Sequence, residues 1–205
     1  MNKKQFLIQS LKGQGFSKTI LDAFSKVKRE DFILKDMKKL AYEDIALSIG
    51  KGQTISQPYT IATMFSLLEL KKGQKVLEIG SGCGYASALI SKIVGAKGNI
   101  FGIERIEELV KKSKLNLKGY KNIEIYNQNG FHGLKEKSPF DRILISAGYL
   151  EIPKPLINQL KDKGLIVAPI GNRYEQSLIV YEKIKGKLKI KKEIPGFVFV
   201  PLVKN

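Results

Sequence analysis

Three short segments hold the residue types in this chain that can do chemistry. In VLEIGSGCGYAS, residues 76–87, an apolar run opens onto Gly80, Gly82 and Gly84 and then onto a helix-forming stretch. Glycines there let the main chain turn sharply and let a ligand lie against it, at the carboxyl ends of strands where open α/β sheets bind their ligands. The dinucleotide pattern G-x-G-x-x-G fits in neither frame: from Gly80 its last place falls on Tyr85, and from Gly82 on Ser87. A pyrophosphate is therefore disfavoured. Glu104 ends the next apolar run, 20 residues beyond Gly84, where a carboxylate can accept hydrogen bonds from both hydroxyls of a ribose. The plainer alternative is a tight turn followed by a solvated acid at a helix start. The second segment is NQNG, residues 127–130, whose Asn129 and Gly130 follow the run NIEIY; Asn-Gly is also a common turn pair. The third is GQTISQPYT, residues 52–60, which packs hydroxyl and amide side chains just ahead of a long apolar helix. Ser56 or Gln57 there could simply cap that helix before Pro58.

The elements that must carry these segments are legible as periods. Residues 3–34 show helical spacing (Phe6, Leu7, Leu11, then Ile20, Leu21, Phe24, Val27), with Gly13 and Gly15 between two short helices. From Pro58 an apolar helical pattern runs to Gly73, so residues 52–60 are expected to be a loop entering a helix. Strands and helices then alternate: KVLEIG, a helix over 85–94, NIFGIE, a helix over 105–118, NIEIYN, FDRILISA, a helix over 153–160, and GLIVAPIG. That order predicts a doubly wound, mainly parallel sheet. SLIVYEKI, KLKIKKEI and FVFVPL follow without helices and are expected to be antiparallel strands closing it. The predicted fold class is α/β, a Rossmann-like seven-stranded sheet with a helical amino-terminal extension. The chain is expected to form a single domain over 1–205, with 1–57 the helical region and active-site loop and 58–205 the core and closing strands.

Composition bounds the partners. With 205 residues, 43% of them hydrophobic, the chain can build one well-cored domain. No apolar run approaches a membrane span and no leader pattern opens the chain, so a soluble cytoplasmic protein is expected. One cysteine, Cys83, and one histidine, His132, exclude a nitrogen and sulfur metal cluster, and no metal is expected. The net charge of +17 raises the question of nucleic acid, but only four of 36 basic residues are arginine (Arg29, Arg105, Arg142, Arg173), and the lysines are dispersed. Specific nucleic-acid binding is not expected, and a monomer is.

The pattern E-x-G-x-G-x-G, from Glu78 through Gly80, Ser81, Gly82 and Gly84, resembles the first motif of S-adenosylmethionine-dependent methyltransferases. In that fold Asn129 and Gly130 fall beside the adenine, where the Asn129 carbonyl oxygen could accept from its amino group. AYEDIALSIGKGQTISQPYTIATM, KVLEIGSGCGYASALISKIVG, PFDRILISAGYLEIPKPLINQLKDKGLIVAPIG, VKREDF and FVFVPL together resemble the protein-L-isoaspartate O-methyltransferase family, over nearly the whole chain. The resemblance implies methyl transfer from S-adenosyl-L-methionine, leaving S-adenosyl-L-homocysteine, to the free carboxylate of L-isoaspartyl (and D-aspartyl) residues in damaged proteins. The ester then recloses to a succinimide, part of which opens to normal aspartate. It further implies that Thr54, Ile55 and Ser56 lie over the cofactor, that Ser56 is the active-site residue, and that the peptide meets the segments holding Ala147, Gly148 and Val200. The chemistry suits what is missing: a carboxylate with pKa about 4 is ionised at neutral pH and needs no general base. His132 is then a surface or packing residue, and Cys83 a compact filler.

The chain departs from the family at Asn129, where the usual acid is replaced by an amide, and at Tyr149, which could narrow the peptide groove or stack on it. A methyltransferase acting on nucleic acid is the rival enzyme, disfavoured because no Asn-Pro-Pro-Tyr or Asp-Pro-Pro-Tyr follows Tyr126. A non-catalytic cofactor-binding module is the other rival, and the TISQP segment speaks against it.

Overall fold

A computed structural model describes residues 1–203; the last two residues of the region expected to run to 205 lie outside the described residues. Two helices open the chain, α1 (Lys3–Gly13) and α2 (Lys18–Lys26). Asn2 and Gln5 cap α1 reciprocally, each side chain accepting from the other's main-chain amide at 2.9 Å. Leu7 and Leu11 are buried, whereas Phe6, expected in the same stripe, is 66% exposed. Short 3₁₀ segments follow at Arg29–Asp31 and Lys35–Leu40.

The first correction concerns the polar segment. Residues 52–60 are not a simple loop: β2 (Gln53–Ile55) pairs antiparallel with β1 (Leu47–Gly50) in a two-stranded hairpin. Gly50, Lys51 and Gly52 turn it with positive φ. Helix α3 (Pro58–Leu68) then ends short of the expected Gly73. Its last residues give up their carbonyls to a buried arginine: Arg142 Nε donates to Leu68 O at 2.7 Å and its NH2 group to Glu69 O at 3.5 Å, with Glu69 left-handed at φ 50°. A fan of donors on a rigid plane is what an arginine offers and a lysine does not.

Strands β3 (Lys75–Ile79), β4 (Asn99–Glu104), β5 (Ile123–Asn127), β6 (Phe140–Ile145), β7 (Leu160–Gly171), β8 (Gln176–Ile184) and β9 (Lys187–Phe197) form one sheet, in the spatial order β5-β4-β3-β6-β7-β8-β9. The pairings β3–β4, β4–β5, β3–β6 and β6–β7 are parallel, and β7–β8 and β8–β9 antiparallel. Helices α4 (Tyr85–Val94), α5 (Glu107–Asn116) and α6 (Lys154–Gln159) make the crossovers. The strand sequence alternates faces. Val76, Ile100 and Leu144 pack under α1 to α5, while Leu77, Phe101 and Ile143 point to the opposite face with Leu156 of α6. Among the described residues no helix is long and apolar enough to cross a membrane.

The expected strand FVFVPL is the second correction. Only Phe197 belongs to β9; beyond it the chain makes a single parallel bridge, Gly148 to Pro201. Pro201 lacks the N–H that a continuing ladder needs, and the Gln176 side chain pairs with Phe199 instead. Because β3 has β4 on one side and β6 on the other, the order reverses between β3 and β6. Their carboxyl ends diverge there and leave a crevice.

Candidate active site

The crevice is a cleft of about 260 Å³, near the lower limit of pockets that enclose a small molecule, roughly 300 Å³. Its floor is the glycine loop. Gly80 N and Ser81 N both donate to Ile103 O, at 2.9 and 3.0 Å, so the loop folds over the end of β4. Gly80, Gly82 and Gly84 have φ of 79°, 52° and 86°, a region in which a side chain is strained. A Cβ at Gly82 would also lie 3.1 Å from Ile49 Cδ1, which shows how closely the hairpin covers the loop. Lys51 at the hairpin tip reaches Glu108 of α5 at 2.5 Å.

Glu104 is 6% exposed and lines the cleft. Its Oε2 accepts from Gly82 N at 3.0 Å and its Oε1 from Ile106 N at 2.9 Å. Two main-chain amides thus fix the carboxylate, with one further lone pair on each oxygen for a ligand. Glu78, one strand over, is fully enclosed and accepts from Ser87 Oγ of α4. Burial pushes its carboxyl up to about 7. Ser81 Oγ is buried, lines the cleft and has no hydrogen-bond partner, an orphan that a ligand group would satisfy. Cys83 is 3% exposed, and burial pushes its thiol up to about 11, which leaves it a packing residue.

Thr54, Ile55 and Ser56 bring the hairpin's second strand over the cleft. Neither Ser56 nor Gln57 caps α3 through its side chain; the N-cap Gln57 makes no such bond. Pro58 has no N–H to satisfy, and Tyr59 N donates instead to Asp44 Oδ1 at 2.8 Å. Asn129 and Gly130 close another edge, with Asn129 Oδ1 accepting from Phe131 N at 2.9 Å and starting a 3₁₀ turn at Gly130–His132. Ala147 and Val200 form the remaining wall.

All of the expected site residues line this cleft except Gly84 and Gly148. Gly84 instead allows helix packing: a Cβ there would sit 2.7 Å from Leu117 Cδ1. Gly148 is a main-chain clamp, donating to Val200 O and accepting from Leu202 N, both at 2.8 Å. Gln176, 3% exposed, completes that clamp by accepting from Phe199 N at 2.9 Å and donating to Phe199 O at 3.3 Å. Tyr149 is half-buried edge-on to Phe131, ring centroids 5.8 Å apart. His132 is exposed and outside the cleft lining. The residues missed from sequence are Arg29 and Gln176; both act on main chain distant in sequence, and no local pattern marks them.

A structure of a beta-aspartate methyltransferase (PCMT) from Plasmodium falciparum in complex with S-adenosyl-L-homocysteine superposes with a TM-score of 0.87 at 26% identity, covering 100% of both chains. A solved protein-L-isoaspartate O-methyltransferase superposes at 0.89 and 32% identity, covering 97% of this chain and 65% of that one. The sheet order, the glycine loop and its amide-held carboxylate define an S-adenosyl-L-methionine-dependent methyltransferase. The family model described as protein-L-isoaspartate(D-aspartate) O-methyltransferase matches residues 2–205, and the chain belongs to that family. It is 44% identical over 198 residues to the protein-L-isoaspartate O-methyltransferase of Fervidobacterium nodosum, 96% of this chain and 99% of that one. Over 203 residues it is 40% identical to that of Methanothrix thermoacetophila, 98% and 95% of the two chains.

Proposed function

We propose that this protein methylates the misplaced carboxylate of L-isoaspartyl residues, and of D-aspartyl residues, in damaged proteins and peptides. The observation that carries the reading is the junction at Ser56. There the hairpin that covers the glycine loop and the wall made by Ala147 and Val200 line one cleft, and His132 lies outside that lining. When bound, S-adenosyl-L-methionine supplies an electrophilic methyl group on its sulfonium sulfur. The cleft fits that molecule: Glu104 offers two anchored carboxylate oxygens for the ribose hydroxyls, Ser81 Oγ is an unmet polar atom, and Gly80 and Gly82 leave the loop's main chain bare. Asn129 and Gly130 bound the adenine end, and Glu78 supports the loop from below through Ser87.

Thr54, Ile55 and Ser56 present a hydroxyl and main-chain amides to the acceptor. The acceptor carboxylate is anionic at neutral pH, so these groups have no proton to move; they orient one oxygen and exclude water. The peptide lies along Ala147 and Val200, with Gly148 holding that wall in place, where recognition through main chain suits a lesion without a side-chain consensus. A lone cysteine suits a reducing, cytoplasmic setting. The test is Ser56→Ala. We expect kcat for an isoaspartyl peptide to fall about 10- to 100-fold, the cost of losing one orienting contact, with affinity for S-adenosyl-L-homocysteine unchanged by calorimetry. Full turnover in Ser56→Ala would remove this residue from the mechanism.

A further inference from the structure

Arg29 is the largest fully buried side chain in the protein, at 0% exposure. It sits in the 3₁₀ turn after α2, and its charge is met by main-chain carbonyls instead of a carboxylate. One terminal nitrogen donates to Ala41 O at 3.3 Å and Glu43 O at 3.1 Å; the other donates to Ile45 O at 2.9 Å and Ser56 O at 3.0 Å. The Tyr85 ring lies 6.0 Å away, and Nε has no partner. A cation taken wholly from water is expensive unless its surroundings are fixed to receive it. Here the receivers belong to two segments just outside the β1–β2 ladder, which ends at the Leu47–Ile55 pair: the irregular stretch 41–45 before β1, and Ser56 after β2. Asp44 ties the stretch 41–45 to the first turn of α3, three residues beyond Ser56, by accepting from Tyr59 N at 2.8 Å.

We infer that Arg29 is a positioning residue for methyl transfer: its guanidinium braces the main chain at Ser56 against residues 41–45 and so sets the Ser56 hydroxyl over the cleft. The inference rests on the role proposed above for Ser56, but it concerns the peptide plane and not the hydroxyl itself. Lysine cannot replace the brace, because a single ammonium on a flexible stem cannot hold four carbonyls in one plane.

Arg29→Lys separates this from a general loss of stability. At a temperature well below unfolding, kcat for an isoaspartyl peptide should fall about 10- to 100-fold, the effect of roughly an ångström of misplacement. Affinity for S-adenosyl-L-homocysteine by calorimetry should stay within about threefold, since ligand groups on the glycine loop are untouched. Hydrogen exchange followed by mass spectrometry supplies a readout without turnover: amides in residues 41–47 and 53–60 should exchange about tenfold faster, and those of the glycine loop no faster. If Arg29→Lys fails to fold, Asp44→Ala loosens the same junction from outside and should give the same pattern, smaller in size. Unchanged exchange in those two segments, or a loss of kcat matched by an equal loss of ligand affinity, overturns the inference. If the unaltered protein methylates no isoaspartyl peptide, the functional reading falls, while the exchange result still decides whether Arg29 is the brace.

Discussion

Glu78→Gln tests the electrostatics of the cleft with a sign as well as a size. Glu78 lies within β3 with its carboxyl enclosed, and burial is the main cause that raises its pKa from 4.5 to about 7, outweighing the hydrogen bond from Ser87. The protonated carboxyl is therefore the form the fold prefers. Below pH 4.5 both folded and unfolded chains hold the proton, and the native state keeps its full stability. As pH rises from 4.5 towards 7 the unfolded chain ionises first, so native stability is lost across that window and levels off above it. The interval corresponds to about 3 kcal/mol at about 1.4 kcal/mol per pH unit. Glutamine keeps the shape and an acceptor for Ser87 Oγ but does not ionise. Relative to the unaltered protein, the variant should gain stability progressively between pH 4.5 and 7. In thermal unfolding that gain is about 6–12 °C in Tm at pH 8 compared with pH 4, at roughly 2–4 °C per kcal/mol for a chain of this size. Urea unfolding at matched pH values checks the free energy directly. A difference that is flat with pH, or one that runs against the variant as pH rises, would refute the reasoning.

Two further predictions follow from the same cleft. Glu104→Gln turns an amide NH2 towards one of the two main-chain N–H groups the carboxylate now accepts from, and calorimetry should find S-adenosyl-L-homocysteine bound about 10- to 100-fold more weakly, a cost of roughly 1.4–2.7 kcal/mol; equal affinity would show that Glu104 holds the loop alone. Burial of Cys83, with its thiol raised to about 11 from 9, should make alkylation of the native protein at pH 8 about 100-fold slower than that of the unfolded chain, and equal rates would place the thiol at the surface.

Much of the scaffold was legible because its strands are buried on both faces. KVLEI and FDRILI are short apolar runs between turn signals, and such runs in alternation with helices admit few arrangements. Glu104 was legible by its offset from the glycines. The hairpin over the cleft was not: its two strands are brief, its tip is Gly-Lys-Gly, and what stabilises it is packing of Ile49 on the glycine loop together with the Lys51–Glu108 pair, both distant in sequence. FVFVPL alternates like a strand, yet its pairing is taken by Gly148 main chain and the Gln176 carboxamide. Gly84 and Gly148 bear the same mark as the ligand-facing glycines, but they are required by Leu117 and Gln176. Arg29 could be seen only as one charge in VKREDF; four carbonyls from two segments give it meaning, and no local period encodes them.

On the function proposed above, the cleft aligns an isoaspartyl carboxylate, and not an ordinary one, with the methyl donor. The most direct measurement is transfer of a radiolabelled methyl group from S-adenosyl-L-methionine to a peptide containing isoaspartate, beside the same peptide containing aspartate, with RNA as a third acceptor. Label is expected on the isoaspartyl peptide alone, as a base-labile ester. Equal labelling of the two peptides, or label confined to RNA, would contradict it.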